Sequence, residues 1–299
     1  MIQSPTREQI DFLVQQGLKE DLGPGDVTTG GILRSNPVSE AEVTAKEPLV
    51  LCGVEIFKRV FTVLDSSAAF PGQGYRDGQQ VPRGETILRV KARCRALLEG
   101  ERTALNILQR LSGISTLTRQ YVEKAGPVTV LDTRKTTPGL RVFEKYAVRC
   151  GGGNNHRFGL FDAVLIKDNH IKAAGGIRNA VDRVRKNSPE IKTVEVETTH
   201  LDEVDEALAA GADVILLDNM PLETIRRAVE RVGGKARIEV SGSVSLERLG
   251  ELASTGIDFV SVGALTHSAR AVDITMNILE KKPEKNAGFP DNQEERGKE

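Results

Sequence analysis

The sequence predicts an α/β protein in which an N-terminal open α+β sandwich precedes an incomplete α/β barrel of six or seven strands. From about residue 128, short apolar runs alternate with amphipathic helical stretches, and repeated strand–helix units build a parallel sheet with right-handed crossovers. Before residue 110, apolar and charged residues alternate, which is typical of an antiparallel sheet with one face in water. Six uninterrupted strand–helix units favour barrel closure, and a doubly wound open sheet is the alternative.

Residues 1–112 are predicted to form the first domain, which begins with a helix. Thr6 and Gln9, three residues apart, fit a capping box at its N-terminus. The other predicted elements of this part are the loop 21–29, the half-buried strand 41–45 and a helix that carries Ile56 and Val60.

The clearest alternation lies at 88–96, where an apolar face opposes a basic face. The basic side chains are Arg89, Lys91, Arg93 and Arg95. A solvated charged face is the more common arrangement on such a strand. A face turned toward an acidic partner is the alternative.

Residues 113–280 are predicted to form the barrel, and 281–299 a charged, disordered tail. The predicted strands are 128–132, 163–167, 193–197, 213–217, 237–240 and 259–262. The predicted helices between them include 177–186, 201–210, 222–232 and 246–254. Active sites of such barrels form at the carboxyl ends of the strands, so the residues that end these strands are the candidate site.

Composition excludes several classes of function. The chain has 299 residues, with 41 Lys or Arg against 42 Asp or Glu, so it is not a general binder of nucleic acid or membrane. An odd number of cysteines (Cys52, Cys94 and Cys150) without metal-site spacing predicts buried, reduced thiols rather than disulfides. No signal peptide or apolar span is recognisable, and the expected location is the cytoplasm.

Cationic residues are concentrated at the ends of the first two barrel strands. Residues 132–172 hold eight Lys or Arg and four Asp or Glu. Arg forks and Lys point charges bind carboxylate or phosphate, so Arg134, Lys135 and Lys167 at strand ends predict a polyanionic ligand, with His156 and Arg157 nearby. The alternative, a solvated helix face, suits the cations that recur every four residues: Arg141, Lys145 and Arg149.

The later strand ends carry acidic and small residues. Glu197 and Asp218 end neighbouring strands, which suits hydrated Mg²⁺ or ribose hydroxyls; structural ion pairs with the cationic side are the alternative. Segments 241–243 and 263–265 follow the last two strands, where barrels commonly bind phosphate. No dinucleotide, P-loop or zinc motif occurs, and His200 and His267 are interpreted as structural.

One long segment carries a specific resemblance. Residues 132–171, DTRKTTPGLRVFEKYAVRCGGGNNHRFGLFDAVLIKDNHI, resemble the quinolinate phosphoribosyltransferase family. Similar motifs elsewhere are EDLGPGDVTT at 20–29, GERTALNILQRLSGI at 100–114, VEVE at 194–197, LLDN at 216–219, EVSG at 239–242 and SVGALTHS at 261–268. The resemblance covers nearly the whole chain except the tail.

This resemblance implies a pentosyltransferase of NAD biosynthesis. Such an enzyme condenses quinolinate with phosphoribosyl pyrophosphate and yields nicotinate mononucleotide, pyrophosphate and CO₂. The resemblance also implies Mg²⁺ as cofactor, and a homodimer or hexamer of dimers whose active sites are shared between subunits. It implies no nucleic-acid or membrane partner.

The resemblance also assigns roles to residues. It implies that Lys135, Lys167, Glu197 and Asp218 are catalytic, and that the two carboxylates bind Mg²⁺ through water. Quinolinate and phosphate would be bound by Thr133, Arg134, Lys135, His156, Arg157 and Lys167, and the 5′-phosphate by Ser241, Gly242, Ser243, Gly263, Ala264 and Leu265. Arg102 would reach quinolinate from the partner subunit.

Two other interpretations belong to different classes. One is a phosphoribosyltransferase-like protein associated with molybdenum transport, and the intact RKTTPG and NHR motifs count against it. The other is a non-catalytic sensor of a phosphorylated carboxylate. A sensor needs no metal site, so the presence of both cationic and acidic halves counts against that interpretation.

Overall fold

The computed structural model describes residues 4–280, and the predicted disordered tail, 281–299, lies outside them. The capping box at Thr6 and Gln9 is present at the start of the first helix, as predicted. The elements up to the centre of the chain are α1 (Arg7–Leu22), α2 (Val27–Ile32), β1 (Val38–Ala45), β2 (Leu49–Val50), α3 (Val54–Leu64), β3 (Gln80–Val81), β4 (Thr86–Arg93) and α4 (Cys94–Ala125).

Two local predictions in this region are wrong. The predicted loop 21–29 contains the start of α2, because the Asp26 side chain accepts hydrogen bonds from the Thr28 and Thr29 N–H groups and caps a helix. The predicted strand 88–96 ends at Arg93. There the Asp65 carboxylate accepts the Arg93 N–H, at 2.8 Å, and the chain turns into α4.

The first sheet is antiparallel and has the order β11–β1–β4, where β11 (Ile274–Ile278) comes from the far end of the described chain. Arg89, Lys91 and Arg93 are exposed on one face of β4, as the alternation predicts. Lys91 lies opposite Glu40, and Arg89 opposite Glu42. The basic row therefore faces acidic residues of its own sheet as well as solvent.

The second sheet is parallel and has the order β5–β10–β9–β8–β7–β6. Its strands are β5 (Thr129–Leu131), β6 (Val164–Ile166), β7 (Val194–Thr198), β8 (Val214–Asp218), β9 (Arg237–Ser241) and β10 (Phe259–Ser261). Its helices are α5 (Arg141–Cys150), α6 (Asp168–Ala174), α7 (Ile177–Asn187), α8 (Leu201–Ala209), α9 (Leu222–Val232), α10 (Leu246–Leu252) and α11 (Ala264–His267).

Strand order identifies this sheet as an incomplete barrel, which confirms the predicted fold class. The first strand, β5, pairs with the last, β10, whereas a doubly wound sheet reverses its strand order at a switch point. The six strands leave an opening between β5 and β6. A single parallel bridge from Leu131 to Asn154 partly extends the sheet into that opening.

Helix α4 connects the two sheets. It runs without a break through residue 112, where the domain boundary is predicted, and packs on both α3 and α5. The segment before β11 returns to this helix so closely that a Cβ at Gly113 would lie 2.0 Å from the Arg270 carbonyl oxygen. Although α4 has 32 residues, no helix within 4–280 is apolar enough over sufficient length to cross a membrane.

Candidate active site

A cavity of about 980 Å³ lies at the carboxyl ends of the barrel strands. All the site residues named from sequence line it except Arg102 and Leu265. The lining members of that set are Thr133, Arg134, Lys135, His156, Arg157, Lys167, Glu197, Asp218, Ser241, Gly242, Ser243, Gly263 and Ala264.

The two exceptions lie in different surroundings. Leu265 is completely buried in the core, where α11 begins. Arg102 is exposed on α4, and its guanidinium is 4.0 Å from the carboxylate of Glu101. Tyr121, on the same helix, lines the cavity. At 1.5 Å per residue the helix separates Arg102 from Tyr121 by about 28 Å, so Arg102 does not reach the cavity of its own chain.

Arg134 and Arg157 form the cationic wall of the cavity. Burial and the neighbouring Arg134 charge lower the pKa of Arg157. The buried Arg134 Nε has no hydrogen-bond partner within residues 4–280. Two adjacent guanidiniums repel each other unless an anion lies between them, so this wall suits a ligand with carboxylate or phosphate groups.

Hydrogen bonds from three side chains, those of Thr133, Thr266 and Arg141, hold the loop after β5. Thr133 Oγ1 accepts the Lys135 N–H at 3.0 Å, and Thr266 Oγ1 donates to the Lys135 carbonyl at 2.8 Å. Arg141 donates to the Arg134 carbonyl, at 3.3 Å, and to Thr136. The backbone that presents Arg134 and Lys135 is therefore held before any ligand arrives.

The cations of α5 do not form the solvated face that their spacing suggested. Lys145 is 3% exposed, and its Nζ lies 2.5 Å from Asp132 Oδ1. Asp132 also accepts the His156 N–H at 2.9 Å. Burial raises the pKa of Asp132 and lowers that of Lys145, while their mutual attraction opposes both shifts. Arg149 binds the side chain of Asn154, so α5 holds the segment that carries His156.

His156 lies between two buried carboxyl groups. Its Nε2 is 3.1 Å from Glu195 Oε2 and 3.7 Å from Glu239 Oε1, and its Nδ1 accepts the Arg157 N–H at 2.7 Å. Burial lowers the pKa of His156, but the hydrogen bond and charges of the two glutamates leave it raised. Burial, with the Glu195 charge, raises the pKa of Glu239 to about 7.

The acidic wall is formed by Glu197 and Asp218. Glu197 pairs with Lys167 Nζ, which is an ion pair of the kind considered as the alternative to a metal site. Asp218 accepts a hydrogen bond from Ser241 Oγ at 2.6 Å and one from Asn219 Nδ2 at 2.9 Å. Both carboxylates are thus oriented by neighbouring side chains at the carboxyl ends of the strands.

Further lining residues were not assigned to the site from sequence. They are Tyr121, Leu165, Leu216, Asn219, Glu239, Val244, Ser245, Ser261, Val262 and His267. His200 caps α8, which fits its structural interpretation. His267 lines the cavity, so it has access to a ligand, and its structural role stays a prediction. The ring Nε2 of His267 would lie 3.1 Å from a Cβ at Gly263, so glycine allows this close approach.

Two groups of side chains have the spacing of metal ligands within the described residues, and neither contains the predicted pair. They are Cys52 with Asp77 and Cys150, and His156 with Glu195 and Glu239. Burial raises the pKa of the Cys52 thiol, which disfavours the thiolate that binds metal. In the second group the imidazole and carboxyl groups are already joined by a hydrogen bond.

Glu197 and Asp218 offer only oxygen ligands, and within residues 4–280 they do not form a complete protein cage with a third acidic residue. Mg²⁺ is commonly held by one or two carboxylates, with waters and substrate phosphates completing its shell. The oxygen donors of this wall therefore fit Mg²⁺ that arrives with a phosphorylated substrate.

Comparisons with known proteins agree along most of the chain. Residues 26–112 match the description "Quinolinate phosphoribosyl transferase, N-terminal domain", and residues 114–277 match its C-terminal domain. A Synechocystis sp. protein named probable nicotinate-nucleotide pyrophosphorylase [carboxylating] is 45% identical over 275 residues, which covers 90% of this chain and 92% of that protein. A Bacillus subtilis protein of the same name is 42% identical and covers 90% and 93%.

Solved structures agree with the sequence relatives. The crystal structure of NadC from Streptococcus pyogenes superposes with a TM-score of 0.89 at 43% identity, covering 93% of this chain and 100% of that one. The nicotinate-nucleotide pyrophosphorylase from Francisella tularensis gives a TM-score of 0.89 at 41% identity, with coverage of 93% and 99%.

Proposed function

This chain belongs to the quinolinate phosphoribosyltransferase family, and from that membership we infer that its barrel cavity converts quinolinate to nicotinate mononucleotide in NAD biosynthesis. The relatives' names fix both sides of the reaction, because they include a pyrophosphorylase [carboxylating] and a phosphoribosyltransferase [decarboxylating]. The substrates are quinolinate and phosphoribosyl pyrophosphate, and the products also include pyrophosphate and CO₂. The observation that carries this function is that a cationic wall and an acidic wall line one cavity.

The cationic wall is the proposed quinolinate site. Quinolinate carries two adjacent carboxylates on a pyridine ring, and Arg134 and Arg157 are adjacent cations on one wall. Guanidinium forks bind carboxylates with two parallel hydrogen bonds. Lys135, Lys167 and Thr133 complete this side in the proposal. His156 has both ring nitrogens engaged by protein atoms, so its contribution is to shape and charge this wall.

The acidic wall is the proposed phosphoribosyl site. Glu197 and Asp218 would bind ribose hydroxyls and Mg²⁺, which when bound supplies positive charge to the departing pyrophosphate. The segments Ser241–Ser243 and Gly263–Ala264 would receive the 5′-phosphate. The Leu265 side chain is buried in the core and supports this loop, so the proposal assigns it no side-chain contact with the ligand.

The bond changes follow from these positions. The quinolinate ring nitrogen forms a bond to the anomeric carbon while the bond from that carbon to pyrophosphate breaks. Positive charge builds on the ribose, and the carboxylates of Glu197 and Asp218 stabilise it. The C2–carboxylate bond then breaks and releases CO₂. Its electron pair stays on C2, where the cationic wall stabilises it until C2 takes up a proton.

The proposed active assembly is a dimer, in which Arg102 serves the cavity of the partner chain. An apolar patch lies next to Arg157 in the sequence. It consists of Phe158, Leu160 and Phe161, whose exposed fractions are 40%, 70% and 77%. Val27 and Leu98, also exposed, lie on the packed helices α2 and α4, the second of which carries Arg102. Apolar patches of this kind commonly mark subunit contacts. Assembly into hexamers and a cytoplasmic location stay predictions.

A direct assay tests the function. Protein, Mg²⁺, quinolinate and phosphoribosyl pyrophosphate should yield nicotinate mononucleotide, with pyrophosphate and CO₂ in equal amounts. Nicotinate in place of quinolinate is the control for decarboxylation, because it lacks the C2 carboxylate that is released as CO₂. Removal of Mg²⁺ by chelation should reduce the rate. Failure to form the nucleotide, or formation of nucleotide without CO₂, would contradict the proposal.

A further inference from the structure

Arg248 connects two neighbouring loops of the cavity. Its side chain extends from α10 toward both loops. Nη1 donates to the Gly242 carbonyl at 3.0 Å, and Nη2 donates to the Met220 carbonyl at 2.6 Å. Gly242 follows β9 and Met220 follows β8. Asp218 and Ser241 end these strands and are paired in the sheet. One guanidinium fork therefore connects the two loops that follow them, at Met220 and Gly242.

Asn219 interlocks the same two loops on the cavity side. Its N–H donates to the Ser241 carbonyl at 3.1 Å. Its side chain lies over Gly242, where an added Cβ would be 2.1 Å from Asn219 Oδ1. The two loops thus contact each other where the Asn219 side chain packs on Gly242, a position that accepts only glycine. A shift of one loop relative to the other would break this contact.

Both loops adopt backbone conformations that side chains disfavour. Asn219 has φ 54° and Ser243 has φ 47°. Residues other than glycine rarely occupy the left-handed region, and they persist there when surrounding bonds hold them. The Arg248 hydrogen bonds supply such a constraint next to each of these residues.

The direction of the bound carbonyl matters for ligand binding. In a planar trans peptide the C=O and N–H groups point in opposite directions. Because the Gly242 carbonyl points at Arg248, the N–H of Ser243 points away from Arg248. Gly242 and Ser243 both line the cavity, and an outward row of backbone N–H groups is a phosphate-binding arrangement.

We propose that Arg248 is a positioning residue that sets the affinity for phosphoribosyl pyrophosphate by holding together the loops that follow Asp218 and Ser241. This inference rests on the proposed function for the identity of the ligand. It assigns Arg248 no contact with quinolinate, which binds at the Arg134–Arg157 wall.

The test compares substitutions of Arg248 with a matched surface arginine. Arg248→Met removes both hydrogen bonds, and Arg248→Lys keeps the charge but not the fork. Arg226→Met on α9 is the control. Arg226 is exposed, and the contact of its Nη1 with Glu223 Oε2 is long, at 3.9 Å. KM is measured for each substrate separately, and the affinity for phosphoribosyl pyrophosphate with Mg²⁺ is measured by calorimetry.

The expected result is selective. In Arg248→Met the KM and the dissociation constant for phosphoribosyl pyrophosphate should rise at least roughly tenfold, which corresponds to about 1.4 kcal/mol, while KM for quinolinate stays within about twofold. Arg248→Lys should give a smaller rise, and the control none. Equal changes for both substrates, or no change for either, would overturn the proposal. If Arg248→Met does not fold, Arg248→Gln, which keeps one donor, should give the same selectivity at smaller size.

Turnover and binding measurements distinguish the proposed reaction from the role of Arg248. If the wild-type protein forms no nucleotide, the proposed reaction fails. The calorimetric comparison still decides the role of Arg248, because it measures binding of phosphoribosyl pyrophosphate without turnover. Weak, identical binding by wild type and Arg248→Met counts against the role of Arg248.

Discussion

Lys145 and Asp132 are 3% and 0% exposed and lie under the segment that presents His156. Moving two charges out of water costs several kcal/mol per ion, and their attraction and additional hydrogen bonds offset that cost. Asn155 donates to Asp132 Oδ2 at 2.6 Å, and Lys145 donates to the His156 carbonyl at 3.0 Å. The pair therefore stabilises the fold and also positions the segment that carries His156.

Lys145→Met should lower the free energy of unfolding by about 3–5 kcal/mol, because it leaves Asp132 buried without its cation. Lys172→Met is the matched control, since the Lys172–Asp168 pair is also Lys with Asp but is 73% and 55% exposed. Its effect should stay within about 1 kcal/mol. Urea denaturation measures both, and similar losses in the two variants would contradict this assignment.

The fourfold spacing of Arg141, Lys145 and Arg149 could not reveal this role. Spacing places the residues on one helix face but does not say what that face packs against. Asp132 directly follows β5, 13 residues before Lys145, and only the packing of the strand against the helix brings the two together. For Arg134, which ends an apolar run, position alone sufficed to predict that it lines the cavity, because strand ends of a barrel share one side.

The segment before β11 packs directly on the backbone of α4 at Gly113. Gly113 sits where the Arg270 carbonyl oxygen would be 2.0 Å from a Cβ. Gly113→Ala should destabilise the protein by on the order of 1–3 kcal/mol, because backbone has to shift to make room. Gly30→Ala, in α2 with nothing within 4 Å of its Cβ position, should be neutral or slightly stabilising. Thermal unfolding of the two variants distinguishes these outcomes; equal midpoints would show that the segments separate easily.

An ion pair between Glu47 and Arg270 holds the same segment in place. Glu47 Oε1 accepts from Arg270 Nη1 at 2.7 Å and from the Asp273 N–H at 2.8 Å. The Arg270 hydrogen bond holds the pKa of Glu47 at about 2, from an ordinary value of 4.5, although partial burial opposes the shift.

Glu47 should make the stability of the fold dependent on acidity. The unfolded chain takes up this proton near pH 4.5 and the folded chain only near pH 2, so the stabilisation is complete above 4.5 and is lost as pH falls through about 2. The difference in thermal midpoint between wild type and Glu47→Gln should therefore be constant near neutral pH and shrink below pH 4.5. A difference that grows with acidification would have the wrong sign.

Elements with strong local patterns were predictable, and those that depend on distant pairing were not. The six barrel strands are apolar runs flanked by polar residues, and each was found. β11 was missed although Thr275 and Asn277 alternate with apolar residues, because a five-residue alternation is a weak signal and its partner strand lies far away in the sequence. Its identity as a strand comes from pairing with β1. Similarly, Cys94 and Arg95 continue the alternation of β4, and only the Asp65 and Asn36 side chains that bind the turn end the strand there.

At the scale of the whole molecule, the separation between Arg102 and Tyr121 along α4 bears on assembly. Arg102→Ala and Lys167→Ala homodimers should both be nearly inactive if each active site uses Lys167 from one chain and Arg102 from the other. A mixed dimer then places both defects in one site and leaves the other site native. Co-refolding equal amounts should recover about one quarter of wild-type activity, since random pairing makes half of the dimers mixed.

Tagged subunits verify that exchange occurs in this experiment. Each variant refolded alone is the control for residual activity. If exchange is confirmed and mixing restores nothing, Arg102 acts within its own chain or the two sites are not independent.

The site as a whole was predictable where it follows strand ends. Tyr121 could not be found, because it lies on the helix that enters from the first domain, and its hydroxyl donates to the Val244 carbonyl across 123 residues. His267 follows the last strand by several residues, in α11, and no partner in the sequence marks it.

The pairing of β1 with β11 also has a consequence for how the chain acquires its shape on the ribosome. Most multidomain chains fold their first domain while later residues are still being made. Here one edge of β1 pairs with residues 274–278, which are synthesised after the whole barrel. The first sheet therefore keeps an open edge throughout translation, and unpaired edges invite association with other chains. Nascent chains that stall before residue 274 should be the species most dependent on chaperones.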